Sequence, residues 1–553
     1  MGRRMTRRTF VRGSAATALA VALPSCGGSP PAPPGTVRVA GGFFGFPSPF
    51  AYIAGPGYVQ MSFLYDTLLC KDASGRLLPW LAQSFERSAD GLTYTFALRE
   101  RVRWHDGRPL TAQDVAFTFE YFAAQSLGPL LVAQPFGVKE ARATAAHTVE
   151  IELRTPAVTF LHAVAGAVPI IPRHIWSTIR DPPQAQERAV LVGSGPYRLK
   201  SFSLGEGSAL LEPNDDFFLG APFVRRLELR PVDDELTALR AGEIDLASTP
   251  VEGVRPQALA PLRADDTYGI VEETGSWTFP LIFNLARGGA PADVRFRRAC
   301  ALAIDRRAIV QRLLGGAGAP GNPGFLPLGH PFAAAVEQYR FDPAAANRLL
   351  DDAGYRRAAG AGDAPRRGPD GAPLRLQLLA GNAPAPPVLD LLRADLKDVG
   401  VQLRPQTVDL PTLFGRTQRG ADDSALTLYP GPGGTAPNAD PDALRTFFSS
   451  RIEGRLQGAQ GWHDAEFDRL AARQLVTADT DARRRLLARM QQIVARDVPA
   501  LALYYPTVSH VFRRRAFDRW YVTPGGFAGG LPGVLNKHAL VTGTRTGLRI
   551  RRA

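Results

Sequence analysis

Residues 79 to 122, PWLAQSFERSADGLTYTFALRERVRWHDGRPLTAQDVAFTFEYF, constrain the fold more than any other stretch of the chain. Ser88-Ala89-Asp90-Gly91 is a turn, because Asp can bond its own backbone and Gly tolerates positive φ. Leu92, Tyr94, Phe96 and Leu98 then alternate with Thr93, Thr95 and Ala97, the period-2 pattern of a half-buried strand. A short run from Val102 to Trp104 precedes a second turn, His105-Asp106-Gly107. Thr111 stands three residues before Asp114, which predicts a capped helix start. Val115, Phe117, Thr118, Phe119 and Phe122 form the face of that helix. The order turn, strand, turn, capped helix specifies one supersecondary unit.

A chain of 553 residues is too long for a single core, so two or more lobes are expected. Hydrophobic residues make up 45% and charged residues 21%, as in an ordinary soluble globular protein. The formal charge of +13 comes mostly from arginine, since only five of the 65 basic residues are lysine. Basic residues alternate with acids instead of clustering, so no nucleic-acid partner is expected.

The N-terminus is a targeting segment to be set apart from the fold. Arg3, Arg4, Arg7, Arg8 and Arg12 precede an Ala-rich apolar run, Gly13 to Leu23, too short to span a bilayer. Thr6 to Arg12 is similar to a twin-arginine export motif carried by Arg7 and Arg8, with the general secretory route as the alternative. Leu23-Pro24-Ser25-Cys26 resembles a lipoprotein box that would lipidate Cys26, with ordinary signal-peptidase cleavage as the alternative. Gly27 to Gly35, GGSPPAPPG, reads as a tether that holds a domain off a membrane surface. The two remaining cysteines, Cys70 and Cys300, lie in apolar runs and read as small buried hydrophobes, although a disulfide stays open.

Further along, Leu236 to Leu246 reads as a helix closed by Gly242 and followed by a strand. Trp277 to Leu285 reads as a buried strand. Helices follow at 296–303 and 306–314, with Asp305 as N-cap between them, and another begins at Asp342-Pro343. Strands at 374–379 and 401–403 flank a helix at 388–399, and this βαβ alternation argues a mainly parallel sheet. Helices at 464–476 and 481–496 precede a strand at 500–505.

The opening unit also resembles the signature region of the family 5 extracellular solute-binding proteins, the group of dipeptide-, oligopeptide- and nickel-binding proteins of ABC importers. The resembling residues are Ala82 to Phe85, Asp90-Gly91, Tyr94-Thr95-Phe96, Leu98-Arg99, Trp104 to Gly107, Leu110 to Ala112 and Asp114-Val115. Further matches are Val192 to Tyr197, Phe283-Asn284, Asp293 to Arg297, Ala303 to Arg306 and Asp342-Pro343, so the resemblance spans roughly 36 to 515. It implies an α/β fold of the two-lobed, type II periplasmic-binding-protein kind with an inserted third subdomain. The expected division is 1–26 export signal, 27–35 tether, 36–285 plus 512–553 lobe one with 79–189 inserted, and 286–511 lobe two. Crossings near 284–288 and 506–515 would act as a hinge that closes on a solute.

The same resemblance places the solute against Phe43, Phe44 and Phe46, against Trp277 and Phe279 with Asn284 nearby, and against the loop from Tyr429 to Asp440. Aromatic walls suit an organic ligand. Many peptide-binding relatives place an Asp three residues before the Asp-Pro motif, to pair with a peptide ammonium. Here Asp440-Pro441 is preceded at that spacing by Pro437, which has neither charge nor N–H. A free amino terminus therefore lacks that counter-ion, and longer peptides, opines, glycosides or other small organic solutes stay open.

No HExxH, CxxC, Walker A or GxSxG pattern occurs, and the eight His include no i, i+4 pair, so neither an enzyme, a metal site nor a cofactor is expected. Gly316 to Gly321 satisfies GxGxxG, but Pro320 and Pro323 forbid the helix start that a dinucleotide site needs. His105 reads as part of a structural turn. The expected partners are a peptide or small organic solute, ABC permease subunits and, through a lipid anchor, the membrane surface; a monomer is expected. The rivals are a sensor or scavenger without a dedicated permease, a chaperone-like binder and an exported hydrolase.

Overall fold

A computed structural model describes residues 35–42, 44–125, 137–248, 254, 256–275, 277–357, 364–381, 386–409, 412–413, 416, 426–428, 431–432, 440–452, 460–527, 531 and 533–548. The export segment, with Arg7, Arg8 and Cys26, lies outside the described residues, as do Phe43, Tyr429 and Pro437.

Among the described residues, thirteen strands form one mixed sheet. Its first half orders β8 (Tyr197–Ser203), β9 (Ser208–Pro213), β10 (Arg226–Arg230), β1 (Thr36–Ala40) and β11 (Leu246–Ala247) toward β19 (Ala500–Arg513). On the other side of β19 follow β13 (Trp277–Phe283), β17 (Leu426–Leu428), β15 (Arg375–Gly381) and β16 (Gln402–Val408). Among the described residues, parallel pairing is confined to β1 with β10 and β11, and β15 with β16 and β17. The predicted βαβ unit is there, with helix Pro386–Asp398 between β15 and β16. The sheet is less parallel than expected because hairpins and the long returning strand β19 add antiparallel ladders.

The signature unit folds largely as its pattern dictates. β5 (Thr93–Leu98) buries Tyr94, Phe96 and Leu98 and sits inside an antiparallel sheet of β4 (Ala82–Arg87), β5, β7 (Thr148–Leu153) and β6 (Val138–Ala145). Helix Ala112–Gln125 covers that sheet. At its start the Asp114 carboxylate accepts from the Thr111 N–H at 2.9 Å, the reciprocal half of a capping box. Residues 102–104 form only an isolated bridge, Arg103 to Pro109, because the Trp104–Gly107 turn closes immediately after them.

Buried residues group accordingly. One cluster joins the first half of the large sheet, the four-stranded sheet and the C-terminal segment through Val37, Phe63, Trp80, Phe96, Trp176, Tyr197 and Trp520. Another packs helices Val294–Ala303, Pro343–Asp352 and Pro386–Asp398 on β13, β15 and β19 through Phe283, Phe296, Leu350, Leu378, Leu392 and Leu501. Asp305 caps helix Arg306–Leu314 by accepting from Arg307 and Ala308, as its position predicts. Cys70 and Cys300 are both free; Cys300 is buried, whereas Cys70 is half-buried on β2 (Leu69–Lys71).

Candidate functional site

The two halves of the molecule are joined by two chain crossings that run side by side. β12 (Tyr268–Thr274) pairs with the later part of β19, from Thr507 to Arg513, while β13 pairs with its beginning, from Ala500 to Tyr504. Between them the chain bends at Gly275, whose φ of 89° few other residues tolerate, opposite Pro506. Thr274 and Thr507 face each other there, with hydroxyl oxygens 2.5 Å apart. The change of core falls between Thr274 and Trp277, ahead of the expected boundary after residue 285, because Phe279, Leu281 and Phe283 all pack into the second cluster.

This frame sorts the aromatic candidates. Trp277 is half-buried at the start of β13, where it faces Pro432 across the ladder. Phe279 is 3% exposed and stacked on Tyr504 at 4.5 Å between ring centres and an interplanar angle of 11°, so its ring is committed to the core. Asn284 is buried just past the opposite end of β13 from Trp277, about 23 Å along the strand at ~3.3 Å per residue. Phe44 and Phe46 lie in a half-buried loop after β1. Phe46 packs edge-on against Phe202 of β8, on the side of the sheet away from β19. Of the described candidates, Trp277 and Asp440 remain beside the junction of the lobes.

Asp440 belongs to a polar cluster on the second lobe that periodicity could not reveal. Its two oxygens accept from both Arg483 Nη atoms, at 2.6 and 3.0 Å, and Oδ1 also accepts from the Asp442 N–H at 2.9 Å. Arg483 donates through Nε to Gln474, which donates in turn to Asp442; Asp442 holds Arg445 by two bonds of 2.6 and 2.7 Å. Bidentate arginine–carboxylate pairs of this kind fix orientation as well as charge. Asp440 is thus a partner for Arg483.

Across from this cluster stand Lys71, at the end of β2, and His162, on a single helical turn, Leu161–Ala165, of the inserted subdomain. Burial pushes the Lys71 ammonium down to about 8, against the opposing pull of Asp440. Burial also pushes the His162 imidazole down to about 4, helped by Lys71 and opposed by Asp440. These mutual influences place Lys71 and His162 of the first lobe within electrostatic reach of Asp440 and Arg483 of the second. The lobes also touch directly, since the Val158 N–H donates to the Leu475 carbonyl at 2.9 Å. Lys71, His162 and Arg483 had no sequence signal. Arg483 stands 43 positions from Asp440, and Lys71 and His162 stand 278 to 412 positions from Asp440 and Arg483, separations at which no local pattern operates.

The signature turn has a different task. The His105 N–H donates to the Gly193 carbonyl at 2.8 Å, its Nδ1 accepts from the Gly193 N–H at 3.2 Å, and its Nε2 donates to the Gly195 carbonyl at 3.0 Å. This clamps the inserted subdomain onto segment 193–197, which itself bonds residues 63 and 64. A Cβ on Gly193 would lie 1.7 Å from the Leu64 carbonyl oxygen, so only glycine fits. His105 is scaffold, as its turn implied.

The sequence family described as bacterial extracellular solute-binding proteins, family 5 Middle, matches residues 76–454. The chain belongs to this family. A Brucella ovis protein whose name proposes a peptide-binding component of an ABC transporter is 27% identical over 455 residues, covering 77% of this chain and 82% of that protein. The oligopeptide-binding protein AppA of Bacillus subtilis is 25% identical over 455 residues, covering 80% and 81%. The crystal structure of NikA from Brucella suis in complex with Fe(III)-EDTA superposes with a TM-score of 0.74 at 24% identity, over 90% of this chain and 98% of the other. The family 5 protein therefore has the expected α/β, two-lobed binding-protein fold and is a solute-binding protein of the extracytoplasmic side. Among the described residues, no helix is long and apolar enough to cross a membrane.

Proposed function

We propose that the protein captures a peptide or another small organic solute between its lobes and delivers it to the permease of an ABC importer. The observation that carries this reading is the paired crossing at Gly275 and Pro506, beneath facing charged groups from both lobes. Such a junction lets two rigid bodies rotate about a short segment, and a solute favours closure only as far as it binds the closed state better. The names of the relatives, which speak of peptides and of a metal chelate, agree with an organic cargo. Cys26 is the site of a lipid anchor, Arg7 and Arg8 direct export, and Trp277 and the 429–440 loop border the solute. The protein acts as a monomer and performs no chemistry on its cargo.

Mass spectrometry of small molecules released from the purified protein, followed by calorimetry with each candidate, tests this. The expected result is saturable 1:1 binding of a defined solute class. Absence of any saturable solute, with a folded protein, refutes it.

A further inference from the structure

The first lobe contains a small pit of about 30 Å³, room for about two water molecules, lined by Tyr58, Ser62, Thr67, Lys71, Asn536 and Lys537, with Cys70 at its edge. The chain has 60 arginines and only five lysines, yet two of those five, both nearly fully buried, meet here. A lysine ammonium is a compact point charge, suited to a cramped pit that a guanidinium fork would overfill.

The two lysines differ in one respect. Lys537 is neutralised: its Nζ donates to Asp66 at 2.7 Å and to the Tyr65 carbonyl at 3.0 Å. Lys71 has no carboxylate at ion-pairing distance among the described residues; its Nζ reaches only the carbonyls of Gly526 at 3.0 Å and Gly525 at 3.4 Å. An ammonium has three N–H donors, so one is left for the pit. Asp440, the acid within electrostatic reach, is already held by Arg483 and the Asp442 N–H. The other hydroxyls of the lining are spent on main-chain carbonyls: Tyr58 on Ala167, Ser62 on Val59 and Thr67 on Leu69. A buried cation without a counter-ion is costly unless an anion completes it.

We infer that the cargo is an organic acid whose carboxylate enters this pit and pairs with Lys71. The inference rests on the solute-binding reading and deepens it. The solute is recognised by its negative end, because Asp440 is committed to Arg483 and gives an ammonium no free acid. His162 sits beside Lys71 as a neutral imidazole and adds no competing charge at neutral pH.

The test uses the purified full-length protein with 15N-labelled lysines, whose five side chains give few signals. Sodium acetate should move one ammonium signal, absent in Lys71→Met, whereas acetamide and sodium chloride should not. Solutes released from the protein should carry a carboxylate, and Lys71→Met should weaken the tightest of them about 30-fold or more. If Lys71→Met fails to fold, the acetate titration of the wild type still decides. An unmoved Lys71 signal, a released solute without a carboxylate, or equal affinities of wild type and Lys71→Met overturn the assignment while leaving solute binding intact. A response to inorganic phosphate in place of acetate also overturns it. Absence of any solute, released or added, refutes the solute-binding reading itself.

Discussion

Acid should loosen the clamp between the inserted subdomain and the first lobe, and His105 is the group that senses it. Its Nδ1 faces an N–H that can only donate, and its Nε2 faces a carbonyl that can only accept, which fixes the neutral Nε2–H form. Burial pushes the imidazole down from the ordinary 6.5 to about 4. Between those values the unfolded chain takes up a proton that the folded chain refuses, so stability falls as pH falls. Integrating that difference for one group gives a loss of about 2 kcal/mol between pH 7 and pH 5. Urea unfolding followed by tryptophan fluorescence at both pH values measures it, because Trp104 is buried beside the clamp. His105→Gln, which keeps a donor and an acceptor without titrating, should show a pH dependence smaller by that amount. An NMR titration of the imidazole signals should find His105 near pH 4. A titration near 6.5, or identical pH dependence in wild type and variant, would refute the reasoning.

Three further outcomes are expected. Arg38→Met strands the buried Asp245 carboxylate, which now accepts from the Arg38 N–H, Nε and Nη2; it should cost about 3–5 kcal/mol by urea unfolding, and adding Asp245→Leu should recover much of the loss. Phe279→Ala should cost about 3–5 kcal/mol of stability and leave the affinity of the folded fraction for solute unchanged, whereas Trp277→Ala should do the reverse in calorimetry. Asp440→Asn removes the acid that favours the charged form of Lys71, so the Lys71 ammonium should titrate below its present value of about 8 in a lysine NMR titration.

Local order was legible because local chemistry specifies it. The alternation of Tyr94, Phe96 and Leu98, the Thr111–Asp114 start, the Asp305 cap and the left-handed Gly242 all stand where the residues predict. Sheet composition was less so: the hairpin of β8 and β9 and the extension of β19 past residue 505 depend on partners that are remote in sequence. The candidate site was the least legible. Phe279 and Trp277 are two residues apart on one strand and share a face in a regular ladder, yet they pair with different partners, Trp277 with Pro432 and Phe279 with Tyr504 of β19. The Phe279 ring meets Tyr504. Lys71 ends an apolar run and carries no motif; only the folded chain brings the carbonyls of 525 and 526 to it.

β19 is a single backbone shared by both lobes, with Pro506 close to its middle. Proline has no N–H, so the strand offers no donor to its neighbours at the point where the lobes pivot. Opening can flex the strand there without first rupturing a main-chain bond donated by residue 506. A swing confined to a few residues there would let each lobe meet a permease with the same surface whether empty or loaded. What would then change on loading is the angle between two unaltered faces, and that angle would be the signal for a transporter to read.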